Sequence, residues 1–142
     1  MAEPGQINKI REYMKRAVDS LKRAQDCLND EKYIDLVSFD AYWAAYDSIE
    51  AMALFKGKRV PEYYSLIAFL DRELIRPRLI NEDIGQKFRQ LFKQHLIKDN
   101  KAHPDIVRKH AAKNLQDATI IVSEVKQWLT NSIEDFDVPN IH

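Results

Sequence analysis

The sequence predicts an all-α protein, an up-and-down four-helix bundle with an additional short helix. Three observations carry that prediction. Apolar residues recur at a 3.6-residue period along most of the chain. Only three glycines and five prolines occur, and both types are expected at helix breaks. No segment alternates apolar and polar residues as a half-buried strand would.

The first helix is predicted over residues 7–28, where Ile7, Ile10, Met14, Ala17, Leu21, Ala24 and Leu28 form one stripe. Asn29-Asp30-Glu31 makes the turn. The second, over residues 33–56, is apolar almost all round (Phe39, Tyr42, Trp43, Tyr46, Ile49, Met52, Phe55) and belongs at the centre of a bundle. Asp40, Asp47 and Glu50 read as its narrow solvated stripe. Gly57 suits the residue just past its end, and Lys56 suits the negative helix C-terminus. Pro61 fits the first turn of a third helix that carries Tyr64, Ile67, Leu70 and Leu74 and that Pro77 stops. Tyr63 and Tyr64 read as core packing. Asn81 is an N-cap for the fourth helix, with Glu82 and Asp83 in its first turn and Ile84, Phe88, Leu91 and Phe92 on one side. That helix should fray near Lys98. Pro104 and Asp105 open the last helix, which runs through Val107, Ala111, Leu115, Ala118, Val125 and Leu129.

Residues 1–133 therefore read as a single domain, followed by a loose acidic tail over residues 134–142. Apolar residues make up 45% and charged residues 31% of the 142, and no uninterrupted apolar run exceeds six residues, the length of Ala41-Tyr42-Trp43-Ala44-Ala45-Tyr46. A membrane span is excluded on that ground. The opening Met1-Ala2-Glu3-Pro4-Gly5-Gln6 lacks the basic start and apolar stretch of a signal peptide. Cys27 is the one cysteine, which rules out an intramolecular disulfide. A cytoplasmic location is the expectation. No metal-ligand spacing, phosphate-binding glycine loop or nucleophile elbow is present, so neither a metal nor a cofactor is expected.

Chemistry concentrates in Ile97-Lys98-Asp99-Asn100-Lys101-Ala102-His103. Lys98 can hold phosphate and His103 can move a proton, the minimum needed to cleave RNA without a metal. Net charge is zero, yet residues 93–113 hold six Lys/Arg and three His against only Asp99 and Asp105. Such a local positive field suits a phosphate-bearing ligand, with Lys93, Lys101, Arg108 and His110 as candidate contacts. His110 lies seven residues after His103, on the same stripe of the last helix. The plainer readings are a solvated helix face for the bases and a helix-entry residue for His103.

The run Ser38-Phe39-Asp40-Ala41-Tyr42-Trp43-Ala44-Ala45-Tyr46-Asp47-Ser48-Ile49-Glu50-Ala51, with Phe55-Lys56-Gly57-Lys58, Pro61 and Ser65-Leu66-Ile67, resembles HEPN domains. The name stands for higher eukaryotes and prokaryotes nucleotide-binding. The resemblance covers most of the chain. The family's sharper motif is an arginine, usually followed by a polar residue, then a histidine after four to six intervening residues, just before the last core helix. His103 matches the histidine and Asp99 the polar position, whereas Lys98 stands where the family has arginine.

The resemblance implies a homodimer that binds RNA or a nucleotide. It further implies a toxin-like role beside a minimal nucleotidyltransferase, and RNA cleavage with His103 as base, Lys98 as electrostatic clamp and Asp99 orienting. Lysine lacks arginine's two-point grip on phosphate, so cleavage is expected to be weak or lost. No tyrosine soon follows His103, unlike toxins of this group that the partner enzyme modifies on tyrosine. The alternative is a non-catalytic structural or adaptor dimer. Arg89 and His95 form a second literal match, but six helical residues turn a side chain by roughly 240° at ~100° each. Those two are expected to diverge.

Overall fold

The computed structural model describes residues 4–60, 62–97 and 104–138. Among them the chain forms α1 (Pro4–Cys27), α2 (Ile34–Phe55), α3 (Tyr63–Phe69), α4 (Glu82–Ile97) and α5 (Pro104–Ser132), with no strand. A 3-10 turn, Glu31–Tyr33, precedes α2, and a π-helical turn, Leu70–Ile75, extends α3.

Local chemistry accounts for most of the ends. Asp30 accepts from the Lys32 backbone N–H at 3.0 Å, which fixes the α1–α2 turn. At the end of α2, Gly57 N–H reaches the Leu54 carbonyl (3.0 Å) and Lys58 N–H the Ala53 carbonyl (2.9 Å). This double closure needs a left-handed residue, and Gly57 supplies φ 71°. Asn81 Oδ1 accepts from Asp83 N–H at 2.9 Å, the expected N-cap of α4.

α1 runs antiparallel to α2, since Arg16 meets Asp47 and Arg23 meets Asp40. α4 is antiparallel to α2 as well, with Phe88 beside Tyr46 and His95 beside Tyr42. α5 runs parallel to α2, because Asn114 bonds Ser38 and Trp128 meets Phe55. The result is up-down-up-down, with α2 packed against α1, α4 and α5. Ile10, Met14 and Leu21 of α1, Ile49 and Met52 of α2, Phe88 and Leu91 of α4, and Ile121 and Val125 of α5 meet in one core. That central place explains why α2 is apolar on nearly every side.

Four expectations change. α3 starts at Tyr63 with Glu62 as its cap, whose Oε1 accepts from Ser65 N–H at 3.2 Å; Pro61 lies outside the described residues. Glycine is not confined to breaks: Gly85 sits inside α4, where a Cβ would stand 2.8 Å from Ile75 Cδ1. It lets α4 approach the π-helical turn closely, and the Arg89–Asp71 ion pair spans the same contact. The tail expected to be loose from Glu134 packs onto the bundle as far as Val138. Phe136 and Val138 are buried there, and Arg11 lies over the Phe136 ring at 5.6 Å. Tyr64 is 63% exposed rather than core, while Tyr63 stacks on Phe92 at 3.6 Å.

Candidate functional site

The segment singled out in the sequence joins the last turn of α4 to the first turn of α5, since α4 ends at Ile97 and α5 begins at Pro104. Lys98, Asp99, Lys101 and His103 themselves lie outside the described residues. Their flanks are defined. Lys93 is exposed on α4, and His110 is half-buried on α5. Arg108 reaches across the bundle: one guanidinium nitrogen donates to the Leu28 carbonyl at 3.2 Å. That carbonyl lies just past the negative end of α1, where a cation is favoured. Lys113 pairs with the buried Asp117 at 2.9 Å.

His95, discounted in the sequence together with Arg89, closes the aromatic face beside this junction. Its ring stacks on Tyr42 at 4.3 Å and 13°, meets Trp43 edge-on at 6.0 Å and lies 6.1 Å from Phe39. Arg89 meanwhile pairs with Asp71, so the two diverge as the helical geometry requires. The spacing of Phe39, Tyr42, Trp43 and Tyr46 on α2 was the available signal that a ring two turns down α4 would find a stack. Burial raises the Tyr42, Tyr46 and Tyr63 hydroxyls above the usual phenol range, so all three stay protonated well above neutral pH. Among the described residues, Trp43 Nε1 is the buried side-chain polar atom without a hydrogen-bond partner.

The acids of α2 are not a solvated stripe. They face α1, where Arg16 Nη2 lies 3.3 Å from Asp47 and Arg23 Nη2 lies 3.6 Å from Asp40. The two pairs flank a groove of about 320 Å³, floored by Ser20 and Trp43. Desolvation raises the pKa of both carboxyls above the ordinary value, and the arginines only partly offset it. Glu50 is raised too, first by burial and then by the Asp47 charge.

A pH prediction follows with a definite sign. A carboxyl whose pKa is raised by folding favours the native state while protonated, and that contribution is lost as pH rises through the folded value. At neutral pH the Asp47 charge therefore works against the fold. Asp47→Asn is expected to hold or raise the urea midpoint at pH 7, with the advantage shrinking as pH falls toward 3.8, the ordinary value. A loss of more than about 1 kcal/mol at pH 7 would show that the Arg16 pairing outweighs desolvation.

Among the described residues, no helix is long and apolar enough to cross a membrane, and no three His, Cys, Asp or Glu side chains are grouped to hold a metal ion. No curated protein and no solved structure gives a significant match to the chain. A family model described as the HEPN domain matches residues 10–128, from the first buried turn of α1 to the last turns of α5. HEPN domains are generally associated with nucleotides or RNA, are often ribonuclease-like and often dimerise. With most of its length matched, this chain belongs to the HEPN domain family.

Proposed function

We propose that this HEPN domain binds RNA or a nucleotide at the α4–α5 junction, as a homodimer, with metal-independent cleavage of RNA reduced by the lysine at position 98. The observation that carries the reading is Lys98-Asp99 followed by His103, immediately before the last core helix of a chain matched to the family over residues 10–128. In the reaction, His103 takes the proton of a ribose 2′-hydroxyl, the 2′-oxygen bonds to phosphorus and the bond to the 5′-oxygen breaks. Lys98 offsets the charge that builds on phosphorus, and Asp99 orients the imidazole or the sugar. The departing 5′-oxygen takes a proton from solvent. The products are a 2′,3′-cyclic phosphate and a 5′-hydroxyl.

The dimer is supported by apolar side chains left exposed around that end of the bundle: Leu36 and Phe39 of α2, Leu96 and Ile97 of α4, and Ile106 of α5. A second copy over these residues would bring two junctions together. Light scattering should report twice the 16.7 kDa chain mass at micromolar concentration. A minimal nucleotidyltransferase is the proposed protein partner. Lys98 favours a second reading, a module that binds without cleaving, because lysine keeps the charge but loses the bidentate grip.

The test is cleavage of a generic RNA in EDTA, with analysis of the new ends. Wild type should cleave slowly or not at all, and Lys98→Arg should cleave faster and leave cyclic phosphates. Binding of labelled single-stranded RNA at low salt should weaken in Lys98→Ala and Lys101→Ala. Unchanged affinity in both variants would move the site elsewhere. No cleavage by Lys98→Arg, with RNA binding intact, would leave the binding module.

A further inference from the structure

At the opposite end of α2 a second concavity carries cations that the fold itself does not use. The connection after Gly57 and the π-helical turn Leu70–Ile75 border a groove of about 160 Å³. Lys58, Arg59 and Arg72 line it, with Val60 and Phe69 as apolar wall. Glu73 is the one carboxylate of the lining, and Lys58 already stands 3.9 Å from it. Glu62 is tied to the lining residue Ser65, whose N–H and hydroxyl both reach its Oε1 at 3.2 Å. Three bases thus face two acids, and both acids are committed. Among the described residues, neither Arg59 nor Arg72 has an ion-pair or hydrogen-bond partner.

The backbone at Arg72 is itself unusual. Arg76 N–H reaches back five residues to the Asp71 carbonyl at 2.9 Å, so the turn carrying Arg72 and Glu73 is wider than an α-helical one. Such turns are rare and are frequent at functional sites. Arg59, from the far bank, follows the left-handed Gly57 turn that sends the chain across the end of α2. Two guanidinium forks without a carboxylate of their own, meeting over a cleft, match the several oxygens of a phosphate group better than the two of a carboxylate. The cleft has room for one phosphate and the carbon it esterifies, and Val60 and Phe69 suit that carbon.

We propose that this groove binds the phosphate group of a phosphate monoester or of inorganic phosphate, with Arg59 and Arg72 as the contacting residues and Lys58 adding charge. The site is separate from the α4–α5 junction and does not depend on the reading given to it. Titration calorimetry of the full chain in low-salt, phosphate-free buffer tests it, with inorganic phosphate, adenosine 5′-monophosphate and a 5′-hydroxyl dinucleotide as probes. The first two should bind, and Arg59→Ala and Arg72→Ala should each weaken them at least about tenfold, roughly 1.4 kcal/mol. Arg72→Lys should retain part of the affinity, and the thermal midpoints should not move, since neither arginine has an intramolecular partner. Tighter binding of the mononucleotide identifies a nucleotide ligand, and equal binding identifies phosphate itself; either supports the site. The proposal is overturned by absence of heat from both probes at about 10 mM, or by unchanged affinity in both arginine variants. Preference for the dinucleotide overturns it as well. So does binding that disappears with Lys98→Ala yet survives both arginine changes.

Discussion

Phe88→Ala is expected to be the most damaging single change in the bundle, lowering stability by about 3–5 kcal/mol. Phe88 is completely buried, 6.1 Å from the Tyr42 ring in a near-parallel stack and 5.1 Å from Tyr63. Truncation removes the transfer energy of a large side chain and leaves a cavity between α4, α2 and α3, whose rings can relax into it only partly. In a domain of this size each kcal/mol moves the melting midpoint by roughly 3–4 °C, so the drop should exceed about 9 °C. Phe39→Ala provides the contrast. The same ring is removed at a position that is 50% exposed, and the change should stay within about 0.5 kcal/mol for the monomer. Urea denaturation of both variants checks the pair. Equal losses would mean that α4 does not pack on α2 as described.

The largest expected effect on activity is that of His103→Ala. General-base catalysis is typically worth about 10²–10⁴-fold. Removing the imidazole from Lys98→Arg, the variant expected to cleave best, should therefore erase its turnover, while RNA binding changes little because a neutral imidazole adds little to phosphate affinity. The pH profile of Lys98→Arg supplies an independent readout. Cleavage should rise with pH as the base becomes unprotonated. Undiminished cleavage in the double variant would remove His103 from the reaction. It would leave His95 and His110, the described histidines nearest the junction in sequence, to be tested in the same way.

The sequence carried the basis of both predictions. The position of Phe88 on the inner side of α4 follows from the spacing of Ile84, Phe88 and Leu91, all buried. The Lys98–His103 spacing is a sequence fact, and the family assignment extends over it. Periodicity also placed α2 at the centre, and the turn chemistry of Asp30, Gly57 and Asn81 placed the ends near them, because these three turns close through bonds between residues at most five apart.

What the sequence alone determined is therefore the helical architecture, the order of its elements and one candidate loop. What only the tertiary structure decided lies wherever distant segments meet. Asp40 and Asp47 read as solvated until α1 brings Arg23 and Arg16 against them. Arg108 read as a ligand contact, and only the fold adds the bond from its guanidinium to the Leu28 carbonyl, 80 residues earlier. Phe136 and Val138 looked like part of a loose acidic tail, yet the bundle offers them a surface to cover. Gly85 has no side chain for a periodic pattern to read, but inside α4 it is the space that Ile75 fills. Arg59 and Arg72 were unremarkable bases until the Gly57 turn and the π-helical turn set them on one groove. The physical reason is common to all five. Local hydrogen bonding and periodicity act over a few residues, whereas desolvation, charge pairing and close packing depend on which surfaces the assembled helices present to each other.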